Sequence, residues 1–173
     1  MVDYRRARVP GASYFFTVTL RDRRKAWLTA HVDELRAVVR DVRRQRPFTI
    51  EAIVVLPEHL HTLWTLPADD ADFSGRWRAI KAGFTRALVR GGVPLVRDRR
   101  GQYDLWQRRF WEHLIRDDDD FARHVAYIHH NPVKNGLVPD PFAWRWSSIH
   151  AHARRGDIRR EWRGGDVTGK FGD

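Results

Sequence analysis

The chain has 173 residues, 42% of them hydrophobic and 12% aromatic, enough to bury one core and to form one domain with a tail. Lys and Arg number 32 against 22 Asp and Glu, and the formal charge of +10 favours a polyanionic partner. The absence of cysteine excludes disulfides, thiol nucleophiles and thiolate metal sites, so any metal must sit on His, carboxylate or amide ligands.

No apolar run is long enough to span a bilayer, and Met1 to Arg8 lacks the apolar centre of a signal peptide, so a cytoplasmic protein with no membrane partner is expected. After this basic arm and a Pro10-Gly11 turn, Ser13 to Leu20 is rich in aromatic and β-branched residues and reads as a first strand with both faces buried. Thr29 is placed to cap a helix running to about Arg46, with Val32, Leu35, Val39 and Val42 on one face and Pro47 as its stop. Phe48 to Leu56 and His59 to Leu66 read as two strands joined at Pro57-Glu58, a hairpin expected at the centre of the sheet.

Phe73, Trp77, Ile80, Phe84 and Leu88 recur at spacings of three and four, which predicts an amphipathic helix from about Asp72 to Arg90. Residues 93 to 103 are polar and basic and read as a loop, and Leu105 to Ile115 as a fourth strand. Asp117 to Asp120 then open a third helix carrying Phe121, Val125 and Ile128, which Pro132 should end or kink near Asn131. The tail contains tryptophans but little periodicity. The order β, α, β, β, α, β with an added helix predicts an α+β, ferredoxin-like sandwich: an antiparallel sheet of about four strands, two packing helices and a further helix.

Alternate residues of a strand share a face, so His59 and His61 point one way while Leu60, Thr62, Trp64 and Leu66 point the other. Such a pair can hold a divalent cation, but two histidines at this spacing are more often a half-buried, hydrogen-bonded pair, and the motif alone is weak evidence for a metal. In the third helix Tyr127 and Asn131 are one turn apart on one side, with His124 between turns. A tyrosine beside an apolar stripe is more often a core residue with a satisfied hydroxyl than a nucleophile.

Taken together and in order, VVLPEHLHTLW, WQRRFWEHLIRDDDDFARHVA and YIHHNPVKNGL resemble the HUH single-strand endonuclease superfamily, and most closely its REP-associated tyrosine transposases. The resemblance runs from about residue 4 to residue 150, making 1–150 the catalytic domain with a basic N-terminal arm and 151–173 a basic C-terminal tail. It implies that His59 and His61 are the metal-binding histidines, that Tyr127 on the added helix is the nucleophile, and that Asn131 is an amide metal ligand where related insertion-sequence transposases commonly carry Gln. His124, His129 and His130 compete with Asn131 for coordination or proton transfer, His129 being better read as a packing residue. The implied cofactor is Mg²⁺ or Mn²⁺, the latter suiting an imidazole pair. Attack by Tyr127 would leave a 5′-phosphotyrosine and a 3′-hydroxyl.

The implied partners are single-stranded DNA and DNA hairpins formed by palindromic repeats, bound by a monomer, with a dimer as the alternative. Arg5, Arg6 and Arg8 in the arm, Arg97, Arg99 and Arg100 in the loop, and Arg108 and Arg109 beside Trp106 are expected to contact the DNA. Two other readings fit the same charge: a hairpin-binding module without catalysis, and a hydrolytic metal nuclease.

Overall fold

The computed structural model describes residues 7–165 and 171–172. Strands β1 (Ser13–Thr19), β2 (Thr49–Val55), β3 (His59–Thr65) and β4 (Trp111–Leu114) alternate with helices α1 (Trp27–Ala30), α2 (Val32–Gln45), α3 (Phe73–Arg90) and α4 (Asp118–Lys134), ahead of a short turn of helix at Pro141–Ala143 and α5 (Ile149–Arg155). The sheet is antiparallel in the order β2-β3-β1-β4, the split β-α-β arrangement expected from the sequence. Its centre is β3 and β1, so β2 is an edge strand and the hairpin is not central as a unit. That edge is covered. Val55 donates its N–H to the Trp146 carbonyl, Ser148 donates to the Ile53 carbonyl, and the Ser148 hydroxyl accepts from Ile53 N–H.

Alternation along the central strands divides the molecule into two faces. On one face Tyr14, Phe16 and Val18 of β1 and Leu60 and Trp64 of β3 pack against Leu35 of α2 and Trp77, Ile80 and Phe84 of α3. Trp64 lies between Phe48 and Trp77, at ring separations of 4.1 and 4.3 Å. Buried Arg76 is fully engaged here: it donates to both carboxylate oxygens of Asp70, at 3.1 and 2.7 Å, and to the carbonyls of Asp72 and Pro47. On the other face Phe15, Val54, Leu56 and Leu63 pack under Ile128 and Tyr127 of α4. His59 and His61 belong to this second face.

Four further expectations change. Thr29 caps nothing: its hydroxyl donates to the Ala26 carbonyl within α1, and the backbone breaks at His31 before α2 starts. The fourth strand keeps only Trp111–Leu114: upstream, Leu105 and Gln107 stay bonded to the end of β1, through Arg21 N–H to the Leu105 carbonyl and Gln107 N–H to the Thr19 carbonyl, but the ladder is broken over 108–110, and the Trp106 indole bonds the Lys81 carbonyl on α3. Pro132 does not end α4, which continues to Lys134. Pro132 has no N–H to give the Ile128 carbonyl, yet the helix closes beyond it: its own carbonyl and that of Val133 accept from Leu137 and Gly136, the latter at φ +67°. The tail is more ordered than its composition suggests: α5 fixes His152, whose Nε2 bonds the Glu51 carbonyl at the irregularity in the β2–β3 pairing.

Candidate active site

Helix α4 is anchored at its start by Asp117, whose side chain accepts from Asp120 N–H, and by three further aspartates against the positive end of the helix. From there, helical spacing carries Tyr127, Ile128 and Asn131 onto the sheet, all of them buried. The Tyr127 ring meets His61 edge-on with centroids 5.2 Å apart, and His61 meets His59 at 4.8 Å and 82°. The structure therefore brings together the two histidines and the tyrosine that the sequence singled out.

The hydrogen bonds around the histidines assign their protons. Glu58 Oε1 lies 2.8 Å from His59 Nδ1, and a carboxylate can only accept, so the proton sits on Nδ1 and the lone pair on Nε2. Burial raises the Glu58 carboxyl, but the bonds from His59 and Arg23 outweigh it and hold the group below its ordinary value, in the accepting form. Thr17 Oγ1 donates to the Phe171 carbonyl at 2.7 Å, so at 2.8 Å from His61 Nδ1 it accepts, and His61 also carries its lone pair on Nε2. Such outer partners orient metal-binding imidazoles. The donor chemistry thus fits a divalent cation at His59 and His61. Asn131 carries an amide oxygen, a donor type that suits a hard cation, and Asn135 donates to that Oδ1 at 2.7 Å.

Lys134 Nζ donates to the Tyr127 hydroxyl at 3.0 Å and lies 4.8 Å from the ring centroid. An ammonium there stabilises negative charge on the phenol oxygen or on a group attached to it. Phe171 stacks on the other side of the ring, 3.7 Å away with the planes 12° apart.

A second group that could hold a metal ion, His113, Asp120 and His124, lies at the junction of β4 and α4. The two rings stack at 4.6 Å, and Asp120 accepts from His113 at 2.7 Å and from Arg116 and Arg123. Burial acts to raise the Asp120 carboxyl, yet His113 and the Arg116 backbone and side chain hold it well below the usual carboxylate range. Two guanidiniums already neutralise this carboxylate, which makes the cluster a clamp on the start of α4 and a poorer cation site than the His59–His61 pair. His129 is a packing residue bonded to Ser148 at 2.9 Å; burial, with His152 and His150 nearby, pushes its pKa down to about 3.

The expected DNA-contacting residues are dispersed. Arg5 and Arg6 lie outside the described residues, and Arg8, Arg99 and Arg100 are exposed. Arg97 stacks on Tyr103 at 4.1 Å, Arg108 is 3.8 Å from Asp98, and Arg109 lines a cleft with Thr17 and Thr19. Trp106 is half-buried against α3.

Thr17, Glu58, Lys134 and Phe171 were missed in the sequence. Glu58 immediately precedes His59, and Lys134 is two turns beyond Tyr127, so both had local signals. Thr17 is found only through the β1–β3 register that sets it opposite His61, and Phe171 arrives across 154 residues with no local signal.

No family model matches the chain. A REP-associated tyrosine transposase of Escherichia coli strain K12 is 46% identical over 168 residues, 97% of this chain and 94% of that protein. A relative from Haemophilus influenzae is 40% identical over 166 residues, 95% of this chain and 94% of its own. The solved structure of a REP-associated tyrosine transposase bound to a REP hairpin matches with a TM-score of 0.88 at 45% identity, covering 100% of this chain and 98% of that one.

Proposed function

The chain belongs to the REP-associated tyrosine transposases, and from that premise we propose that it cuts and rejoins single-stranded DNA beside REP hairpins, with Tyr127 as nucleophile. The observation that carries this reading is the Tyr127 hydroxyl, held by the Lys134 ammonium on a ring packed against His61. The phenol oxygen bonds to phosphorus as the bond from phosphorus to O3′ breaks; the phenol proton leaves to solvent or a base, and the departing O3′ ends as a hydroxyl. The product is a 5′-phosphotyrosine, which another 3′-hydroxyl resolves by the reverse exchange.

His59 and His61, held in their tautomers by Glu58 and Thr17, present two imidazole donors to a divalent cation, and Asn131 is the third ligand. Mg²⁺ or Mn²⁺ bound there supplies polarisation of the scissile phosphate. Lys134 sits where it can hold a phosphoryl oxygen once the phosphate joins Tyr127. Arg8, Arg97, Arg99, Arg100, Arg108, Arg109 and Trp106, with Arg5 and Arg6 of the arm, hold the DNA, and one protomer supplies the whole site.

The test is a labelled single-stranded REP hairpin with its flank, incubated with Mn²⁺ or Mg²⁺ and resolved under denaturing conditions. Wild-type protein should form a covalent adduct, His59→Ala and His61→Ala should lose it, and His113→Ala should keep its metal dependence. Undiminished adduct in the His59 and His61 variants, or its loss only in His113→Ala, would move the metal to the β4–α4 junction. Restored activity on mixing Tyr127→Phe with His59→Ala protein would replace the monomer with an exchange of helices between protomers.

A further inference from the structure

A hollow of about 270 Å³ opens on the face of the sheet away from Tyr127, between α2, the strands β2 and β3, and residues 146–148. Leu35, Val55, Leu60 and Trp64 form its buried floor. The wall at 146–148 is pinned to β2 by the bonds from Val55 N–H to the Trp146 carbonyl and from Ser148 N–H to the Ile53 carbonyl. The hydroxyls along the hollow are already engaged. Thr62 Oγ1 donates to the Ala52 carbonyl at 3.0 Å, Ser147 Oγ accepts from Ile149 N–H at 3.2 Å, and Ser148 Oγ accepts from Ile53 N–H and lies 2.9 Å from His129 Nε2. The indole N–H groups of Trp64 and Trp77 are buried from solvent. The interior therefore rewards apolar surface and offers nothing to a polar occupant.

The mouth has the opposite character. Arg36, Arg40 and Arg43 line it from α2, spaced by four and three residues so that they share one side of the helix, and all three are exposed. Arg36 is 3.4 Å from the exposed Asp33, and Arg43 Nε donates to the Phe48 carbonyl at 3.0 Å. No carboxylate lines the hollow itself. Three guanidinium charges thus border an apolar interior on one side.

We propose that the hollow is a binding site for a small amphiphilic anion, a medium-length hydrocarbon chain ending in a carboxylate. The chain lies against Leu60 and Trp64, and the carboxylate meets Arg36 and Arg40 at the mouth. An apolar lining with a few polar groups gathered at one end is how small-molecule sites fix orientation, and the volume sits near the lower end for such sites, about 300 Å³. That size suits one short chain better than a helix or strand of a partner protein. Leu60 and Thr62 alternate with His59 and His61 along β3, so the bound chain lies directly behind the histidine pair. The site is independent of the proposed DNA chemistry.

The experiment uses the full chain and isothermal titration calorimetry with three probes: decanoate below its micellar concentration, decyltrimethylammonium and acetate. Decanoate should bind with a stoichiometry of one. The other two should not bind measurably, since one has the chain without the negative charge and the other the charge without the chain. Arg36→Ala with Arg40→Ala should weaken decanoate about fivefold, the scale of two exposed charge contacts, at unchanged melting temperature. Val39→Trp, which brings a large ring into the hollow from its half-buried wall, should abolish binding in a protein that still folds. A control pair of exposed arginines on α3, Arg78→Ala with Arg86→Ala, should change nothing. Equal binding of the cationic probe, several equivalents of decanoate insensitive to Val39→Trp, or equal weakening in the control pair would reduce the effect to adsorption or net charge. Displacement of decanoate by a REP hairpin would make the mouth a DNA surface, and a dimer in sedimentation that decanoate dissociates would give the hollow to a second copy of the chain. Each of these overturns the proposal, as does a wild type that binds no decanoate.

Discussion

On β3, Leu60 and Trp64 enter an apolar core beneath α2 and α3, whereas His59 and His61, one residue out of step, lie beneath α4 against Tyr127. The buried cation on the first face, Arg76, is closed off by Asp70 and three backbone carbonyls. On the second face polar groups are oriented side by side: the histidines are held at Nδ1 by Glu58 and Thr17, and Asn131 accepts at Oδ1 from Asn135. The difference teaches that one sheet separates stability from chemistry by side-chain parity alone. Substitutions on one face should change folding, and on the other, turnover.

The largest effect belongs to Tyr127→Phe, which removes one oxygen from a buried ring. Adduct formation should fall to background while the melting temperature moves little; a variant that unfolds instead would make Tyr127 a residue of the core and erase the distinction. Trp64→Ala should do the reverse. Loss of a ring packed between Phe48 and Trp77 should cost about 3–5 kcal/mol in denaturant unfolding, and whatever protein stays folded should still form adduct.

Asp70→Asn probes the closed ion pair, with an expected cost of about 1–3 kcal/mol for weakening the partner of a buried guanidinium. Hydrogen bonds from Arg76 and from the Asp72 backbone hold the Asp70 carboxyl below its ordinary value, so its stabilisation is complete above the unfolded carboxylate pKa near 3.9 and is lost as pH falls through the lower folded value. The stability gap between wild type and variant should be flat above about pH 5 and close at the acid end; a gap that widens on acidification would contradict this pairing. The smallest effect is expected from Phe171→Ala. Removing the ring stacked on Tyr127 should raise the initial adduct rate with little change in stability, and a slower rate would show that the ring supports the nucleophile.

Much of this division was legible in the sequence because it depends on parity and helical spacing. HLHTLW states both faces of β3, and the run from Phe121 to Asn131 states which side of α4 meets the sheet. Local propensity failed where distant contacts decide. The continuous strand expected over Leu105 to Ile115 is interrupted at 108–110, between the bonds of Leu105 and Gln107 to the end of β1 and the ladder of Trp111–Leu114, and the end expected near Asn131 gives way to a helix that closes on bonds from Gly136 and Leu137 beyond Pro132. The partners of the candidate site followed the same rule. Glu58 adjoins its histidine, but Thr17 becomes visible only with the strand register, and Phe171 only with the fold.

The most direct measurement is the point of attachment. Wild-type protein incubated with a flanked REP hairpin and Mn²⁺, digested and analysed by tandem mass spectrometry, should yield a peptide in which Tyr127 carries the 5′-phosphate of the downstream DNA, with a free 3′-hydroxyl on the upstream fragment. Cleaved DNA bearing a free 5′-phosphate, with no nucleotide on Tyr127 at any time point, would contradict a tyrosine nucleophile and make the chain a hydrolytic nuclease.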